Sequence, residues 1–236
     1  MSKVEQVQLT IDGKKVSADS GTTIFEAARQ AGIAIPYICL HEVTTAEGIC
    51  RQCVVEVEGW GRLAPACITP VEDGLIVSTA SERVLRARRT ILEMLSASVD
   101  ISQSPELRGQ MRIYNADPDR FPGAKRREKE ILDDNPFYVR DYSQCILCWR
   151  CVQACADDMQ FTYALGLGGR GHETHISTFY EVPLPETTCV FCGNCVAVCP
   201  TKALQDKTEH LVERGFQHHE IRARRRQERQ EKRSKT

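Results

Sequence analysis

The sequence predicts an α+β protein built from two cysteine-centred domains with a cysteine-free stretch between them. Three observations predict it. All twelve cysteines of the 236-residue chain fall into three groups of four. The last two groups share one spacing, C-x2-C-x2-C-x3-C, so the C-terminal half contains an internal repeat. The first group lies instead among short alternating strands and a single helix.

The N-terminal elements follow in order. Residues 4–11 alternate apolar and polar and read as a strand. Asp12-Gly13 is a two-residue hairpin signal, and Lys15–Ala18 returns as the second strand. Thr23 and Glu26 have capping-box spacing; Ile24, Ala27, Ala28 and Ala31 then recur at helical intervals up to Gly32. Pro36 opens an irregular stretch carrying Cys39, Cys50 and Cys53. Val54–Val57, Arg62–Ala66 and Gly74–Ser78 read as three more strands, making a mixed α+β domain over 1–80.

Residues 81–140 read as a helix and a linker. Over Ser81–Ser98, the residues Val84, Leu85, Ala87, Ile91, Leu92 and Leu95 form an apolar stripe that predicts a helix docked on its neighbour. The remainder is polar and proline-interrupted, with one short helix expected around 124–132. Residues 141–205 hold the repeated cysteine runs, and 206–236 form a basic tail. Within 221–236 there are eight Arg or Lys against two Glu. Such a run reads as a solvated helix or tail, with an acidic partner surface as its functional alternative. No aromatic interleaves the run, which argues against nucleic acid.

The cysteine spacing carries the chemistry. C-x2-C-x2-C wraps a loop around one cubic iron–sulfur core, and the fourth cysteine points to the other core. One [4Fe–4S] cluster is therefore expected on Cys145, Cys148, Cys151 and Cys199. The second is expected on Cys189, Cys192, Cys195 and Cys155, the run that ends in Cys199-Pro200. A zinc ribbon would leave the extra cysteine of each run idle. The first group, Cys39, Cys50, Cys53 and Cys67, is C-x10-C-x2-C-x13-C. Its spacing suits a [2Fe–2S] rhomb held two thiolates per iron, and by itself also admits a structural zinc.

Bulk properties bound the rest. Net charge is −1 and mean hydropathy −0.35, so composition calls for neither a nucleic-acid nor a membrane partner. The N-terminus lacks an apolar signal core, and no stretch reaches the roughly 18 apolar residues of a membrane span. A cytoplasmic location is expected, where dense cysteine means metal ligation and not disulfides. Every thiol is used by a cluster, so no catalytic residue is expected.

At this point the chain resembles a known family. IPYICLHE around Cys39, GICRQCVVEVEG around Cys50 and Cys53, and LAPACITPV around Cys67 resemble the β-grasp [2Fe–2S] ferredoxin-like domain of the large iron–sulfur subunit of respiratory complex I. CILCWRCVQAC, GGRGHETHIST and CVFCGNCVAVCPTKAL resemble its following two-cluster [4Fe–4S] ferredoxin-like domain. The diaphorase small subunit of NAD-linked hydrogenases is similar, and the front of NAD-dependent formate dehydrogenase α subunits most so. The resemblance implies one [2Fe–2S] and two [4Fe–4S] clusters. It implies a non-catalytic electron-transfer subunit of a hetero-oligomeric oxidoreductase. Its expected partners are a flavin- and NAD(P)H-binding subunit and a catalytic subunit, with no direct membrane insertion. One departure stands out. The family's intervening H-x3-C-x2-C-x5-C cluster motif has no counterpart, since residues 68–144 contain neither cysteine nor histidine.

Other readings are weighed against this one. A succinate dehydrogenase or fumarate reductase iron–sulfur subunit would open on C-x4-C, which is absent. A stand-alone redox carrier would purify without a flavoprotein, and a zinc-bound scaffold or nucleic-acid adaptor would be colourless. Gly166-x-Gly168-x-x-Gly171 matches a dinucleotide fingerprint literally but lacks the βαβ context, so a tight glycine turn is expected. His41, His172 and His175 read as packing or surface residues, and Trp149 as cover for a cube.

Overall fold

A computed structural model of the chain describes residues 5–234. Val4 of the expected first strand and Lys235 of the basic run lie outside the described residues. The chain separates into two compact units, Met1–Arg126 with Cys148–Arg150, and Arg127–Leu147 with Cys151–Thr236.

The first unit is organised by a five-stranded mixed sheet. β1 (Gln6–Ile11) and β2 (Lys14–Asp19) form the expected hairpin, in which Leu9 pairs with Val16. Asp12 and Gly13 both take positive φ, +49° and +79°, as a twist-matched two-residue turn requires. α1 (Ile24–Gln30) starts where the Thr23 hydroxyl accepts the Glu26 N–H at 3.2 Å. β3 (Val54–Val57), β4 (Ala64–Pro65) and β5 (Ile76–Ser78) complete the sheet in the order β2-β1-β5-β3-β4. β1 and β5 run parallel, the others antiparallel. Ile11, Ile24, Ala27, Ala28, Val55, Val57 and Val77 fill the core beneath the helix. Cys53 and Cys67 belong to that same core. Their thiols are thereby anchored by hydrophobic packing, the main favourable term in folding.

α2 (Glu82–Ser98) begins at Ser81, whose hydroxyl accepts the Val84 N–H at 3.2 Å. It packs on β3 and on α3 (Pro105–Ile113). Its buried stripe differs from the apolar one in the sequence. Val84 and Leu92 are buried, but Leu85 is exposed, and Arg88 and Glu93 are buried instead. Arg88 donates to the Val54 carbonyl at 2.8 Å and lies over the Tyr114 ring. Glu93 binds Arg120 and accepts the Asp117 N–H at 3.2 Å. Hydrogen-bonded charges therefore occupy helical positions that polarity alone would assign to solvent. The helix expected around 124–132 does not form, because that stretch is charge-rich and largely exposed. The helix of this region is α3, where Ser104 caps the Leu107 N–H, Pro105 suits the first turn, and Leu107 and Gln110 are buried.

The second unit is built from short elements. β6 (Tyr138–Arg140) comes first, followed by α4 (Arg150–Cys155). β7 (Gly166–Gly168) and β8 (His175–Ser177) pair as a hairpin. α5 (Asn194–Ala197) and β9 (Leu204–Asp206) follow, and β9 pairs with β6, Arg140 opposite Leu204. The Asp206 carboxylate caps α6 (Lys207–Glu213) by accepting the Thr208 N–H at 2.7 Å. α7 (His218–Ser234) carries the basic run and is held at its start by buried Ile221. The glycine-rich match at 166–171 belongs to the β7–β8 hairpin, as a tight turn. A Cβ on Gly169 would stand 2.4 Å from the Glu173 carbonyl oxygen.

The exposure difference along α2 gives a direct check. Leu92→Ala is expected to cost about 2–5 kcal/mol. Leu85→Ala is expected to change stability by no more than about 0.5 kcal/mol. Guanidinium denaturation of the two variants measures both, and equal losses would contradict the helix orientation.

Candidate metal centres

The first four cysteines come together as two pairs. Cys53 Sγ and Cys67 Sγ are 3.3 Å apart in the core of the first unit. Cys39 and Cys50 exchange backbone contacts: the Cys39 N–H donates to Cys50 Sγ at 3.4 Å, and the Cys50 N–H to Cys39 Sγ at 3.5 Å. The Gln52 N–H adds a donor to Cys50 Sγ at 3.5 Å. Within each pair the two thiols hydrogen-bond to each other. Hydrogen bonding to Cys50 pulls Cys39 down to about 6, and hydrogen bonding to Cys67 pulls Cys53 down to about 7. The same contacts push Cys50 and Cys67 up, because a second thiolate beside the first is repelled. Gln52, in the loop between Cys50 and Cys53, is fully buried, and neither atom of its side-chain amide has a partner among the described residues. Arg150, grouped with this unit, donates to the carbonyls of Ile38 and Leu40 on either side of Cys39.

The two repeated runs share a backbone device. Two and four residues after the first cysteine, the chain turns left-handed: Leu147 (φ +56°) and Trp149 (φ +74°) in one run, Phe191 (φ +54°) and Gly193 (φ +85°) in the other. Such turns direct peptide N–H groups into an anion-binding concavity. The Leu147 N–H donates to Cys145 Sγ at 3.4 Å, and the Phe191 N–H to Cys189 Sγ at the same distance. Trp149 itself is half-buried.

The fourth cysteine of the first run lies with the second run. Cys155, Cys189, Cys192 and Cys195 line one cavity with Tyr138 and Arg140. The Ala164 N–H donates to Cys155 Sγ at 3.2 Å. Burial pushes Cys195 up to about 12, and Cys155, Cys192 and Cys189 each add to the rise. Burial likewise pushes Cys145 up to about 11, with Cys199 contributing. Buried Tyr142 lies in the field of both Cys151 and Cys145. Cys148 is buried in the loop between them.

The side chains gathered at these places are cysteines, paired in the first unit, with peptide N–H groups aimed at the sulfurs. These features fit iron–sulfur cores.

The histidines stand apart from the cysteine groups' donors. His175 Nδ1 is 2.8 Å from the Glu173 carbonyl, and its Nε2 is 3.2 Å from Glu181. His172 pairs with Glu173 at the surface. His41 is half-buried beside the Val43 N–H. Tyr138 and Arg140 were hidden from sequence reasoning inside a supposed linker. The signal for them was the alternating FYVR just before the cysteine run. The Tyr138 hydroxyl donates to the Phe191 carbonyl at 2.7 Å, and its ring stacks near that of Phe191.

Comparison with known proteins agrees with this construction. Residues 4–82 match the family described as a 2Fe-2S iron-sulfur cluster binding domain, and residues 144–203 the 4Fe-4S dicluster domain. The fold and site thus define an iron–sulfur protein with a 2Fe-2S ferredoxin domain and a 4Fe-4S dicluster domain. A chain in the crystal structure of an NAD+-reducing [NiFe]-hydrogenase in the H2-reduced state superposes with a TM-score of 0.76 at 30% identity. That match covers 85% of this chain and 87% of the other. The NADP-reducing hydrogenase subunit HndD of Solidesulfovibrio fructosivorans is 36% identical over 213 residues, 85% of this chain and 36% of that subunit. The mitochondrial NADH-ubiquinone oxidoreductase 78 kDa subunit of Candida albicans is 33% identical over 215 residues, 87% of this chain and 29% of that protein. The chain belongs to the same family as that hydrogenase chain, an iron–sulfur family that carries the two matched domains. It spans about a third of the length of these two curated relatives.

Gly193 offers a test of the second loop. It is left-handed, and an added Cβ would lie 3.1 Å from the Tyr138 hydroxyl. Gly193→Ala is expected to destabilise the unit by about 1–2 kcal/mol. It should also speed loss of visible absorbance under air, and unchanged stability and bleaching would contradict the loop geometry.

Proposed function

We propose that this chain relays single electrons between an NAD(P)(H)-linked flavoprotein subunit and a catalytic oxidoreductase subunit, such as a hydrogenase or formate dehydrogenase. It does so with one [2Fe–2S] cluster on Cys39, Cys50, Cys53 and Cys67. One [4Fe–4S] cluster is held by Cys145, Cys148, Cys151 and Cys199, and another by Cys189, Cys192, Cys195 and Cys155. Iron–sulfur clusters supply reversible one-electron redox chemistry, at potentials set by net charge, hydrogen bonds to sulfur and solvent access. The chain's own residues supply those settings. The peptide N–H groups of Gln52, Leu147, Ala164 and Phe191 neutralise part of the thiolate charge. The side chains of Tyr138, Leu184 and Leu204 line the cavity of the last set.

The observation that supports this reading is Cys155 lining one cavity with Cys189, Cys192 and Cys195, while Cys199 adds to the rise of Cys145. Two separate metal knuckles have no use for that arrangement; two facing cubes require it. The relatives that are oxidoreductase subunits support the redox role. Among the described residues no helix is long and apolar enough to cross a membrane. A cytoplasmic complex is the setting we propose.

Anaerobic purification from the native host tests the whole reading. The chain is expected to carry roughly ten irons with matching acid-labile sulfide, and to co-purify with a flavoprotein. Cys155→Ser and Cys199→Ser should each remove a different cube and leave the [2Fe–2S] signal in electron paramagnetic resonance. A zinc protein, or about four irons, would refute it.

A further inference from the structure

The wall of the last cysteine cavity contains a buried cation that ligation does not require. Arg140, at the end of β6, is 2% exposed and lines the cavity with Cys155, Cys189, Cys192 and Cys195. Its guanidinium pairs with Asp134, and its Nε has no partner among the described residues. Asp134 is itself tied down: it accepts the Leu184 N–H at 2.9 Å and the Asn135 amide at 3.0 Å. Leu184 lines the same cavity. Arg140 also borders a second cavity of about 260 Å3 that touches Tyr142 and His175. An arginine keeps its charge under all working conditions.

A buried ion pair is weak evidence for stability, because desolvating both charges offsets most of their attraction. Its effect on a neighbouring redox centre is different. Reducing a cluster adds one negative charge, and a fixed cation in a low-dielectric wall stabilises the reduced form. Its partner carboxylate, Asp134, is not among the residues that line the cavity, and its charge acts with the opposite sign. We propose that the Arg140–Asp134 pair sets the reduction potential of the cluster on Cys155, Cys189, Cys192 and Cys195, the guanidinium raising it and the carboxylate moderating the rise. This rests on the three-cluster reading above. Arg140 is here a positioning charge and not a ligand.

The test is a potentiometric titration of the full chain, purified anaerobically and followed by electron paramagnetic resonance, with iron counted in each sample. Arg140→Met should lower the midpoint of one [4Fe–4S] signal, and Asp134→Asn should raise it. Arg140→Lys should stay close to the parent, and the [2Fe–2S] midpoint should be unmoved in all three. A purely structural pair predicts no such opposition of sign. With full iron content, no shift, or shifts of one sign in Arg140→Met and Asp134→Asn, would overturn the proposal. Should Arg140→Met lose iron, Asp134→Asn decides: a midpoint that fails to rise overturns it. A parent chain without two [4Fe–4S] clusters would overturn the three-cluster reading and this proposal with it.

Discussion

The constraint on which this structure depends is the crowding of thiolate charge. Four cysteine sulfurs gathered in one buried place repel each other, and burial penalises every ionised one. The rise of Cys145 and Cys195 under burial expresses that cost. The chain answers it with peptide N–H groups aimed at sulfur, and with cysteines that belong to the hydrophobic core. The left-handed residues Leu147, Trp149, Phe191 and Gly193 are the local expression of this demand. Such backbone is unfavourable for L-residues and persists where surrounding structure over-determines it.

The two units solve the same problem by different means. In the first, a five-stranded sheet and α1 create a core large enough to seat Cys53 and Cys67, and the loop bearing Cys39 and Cys50 completes the site from outside. In the second there is little sheet to lean on. Short strands, capped helices and the Tyr138–Phe191 contact hold the cysteine loops, and Cys155 of the first run lines the cavity of the second.

The cysteine-free stretch is more structured than its polarity suggests. Arg88 and Glu93 are buried and paired, and α3 is anchored by Leu107 and Gln110. Hydrophobic periodicity weighs each residue alone and does not pick these charges out. Their burial is permitted by partners from distant segments, Val54 and Tyr114 for Arg88, Arg120 and Asp117 for Glu93. The helix expected around 124–132 failed for a related reason: good helix formers without an apolar face gain little from packing.

What the sequence determined by itself is whatever depends on short-range spacing. The twelve cysteines, their three groups, the β1–β2 turn at Asp12-Gly13 and the caps at Thr23 and Ser81 were all legible, because each is a local pattern with a local physical cause. Tertiary structure alone decided which charges are buried. It brought Arg140 and Tyr138, from a segment that reads as a linker, to the wall of the last cysteine cavity. It also divided the first four sulfurs into the pairs Cys39 with Cys50 and Cys53 with Cys67. Those outcomes depend on contacts between residues far apart in the chain, whose desolvation and pairing energies no local window contains.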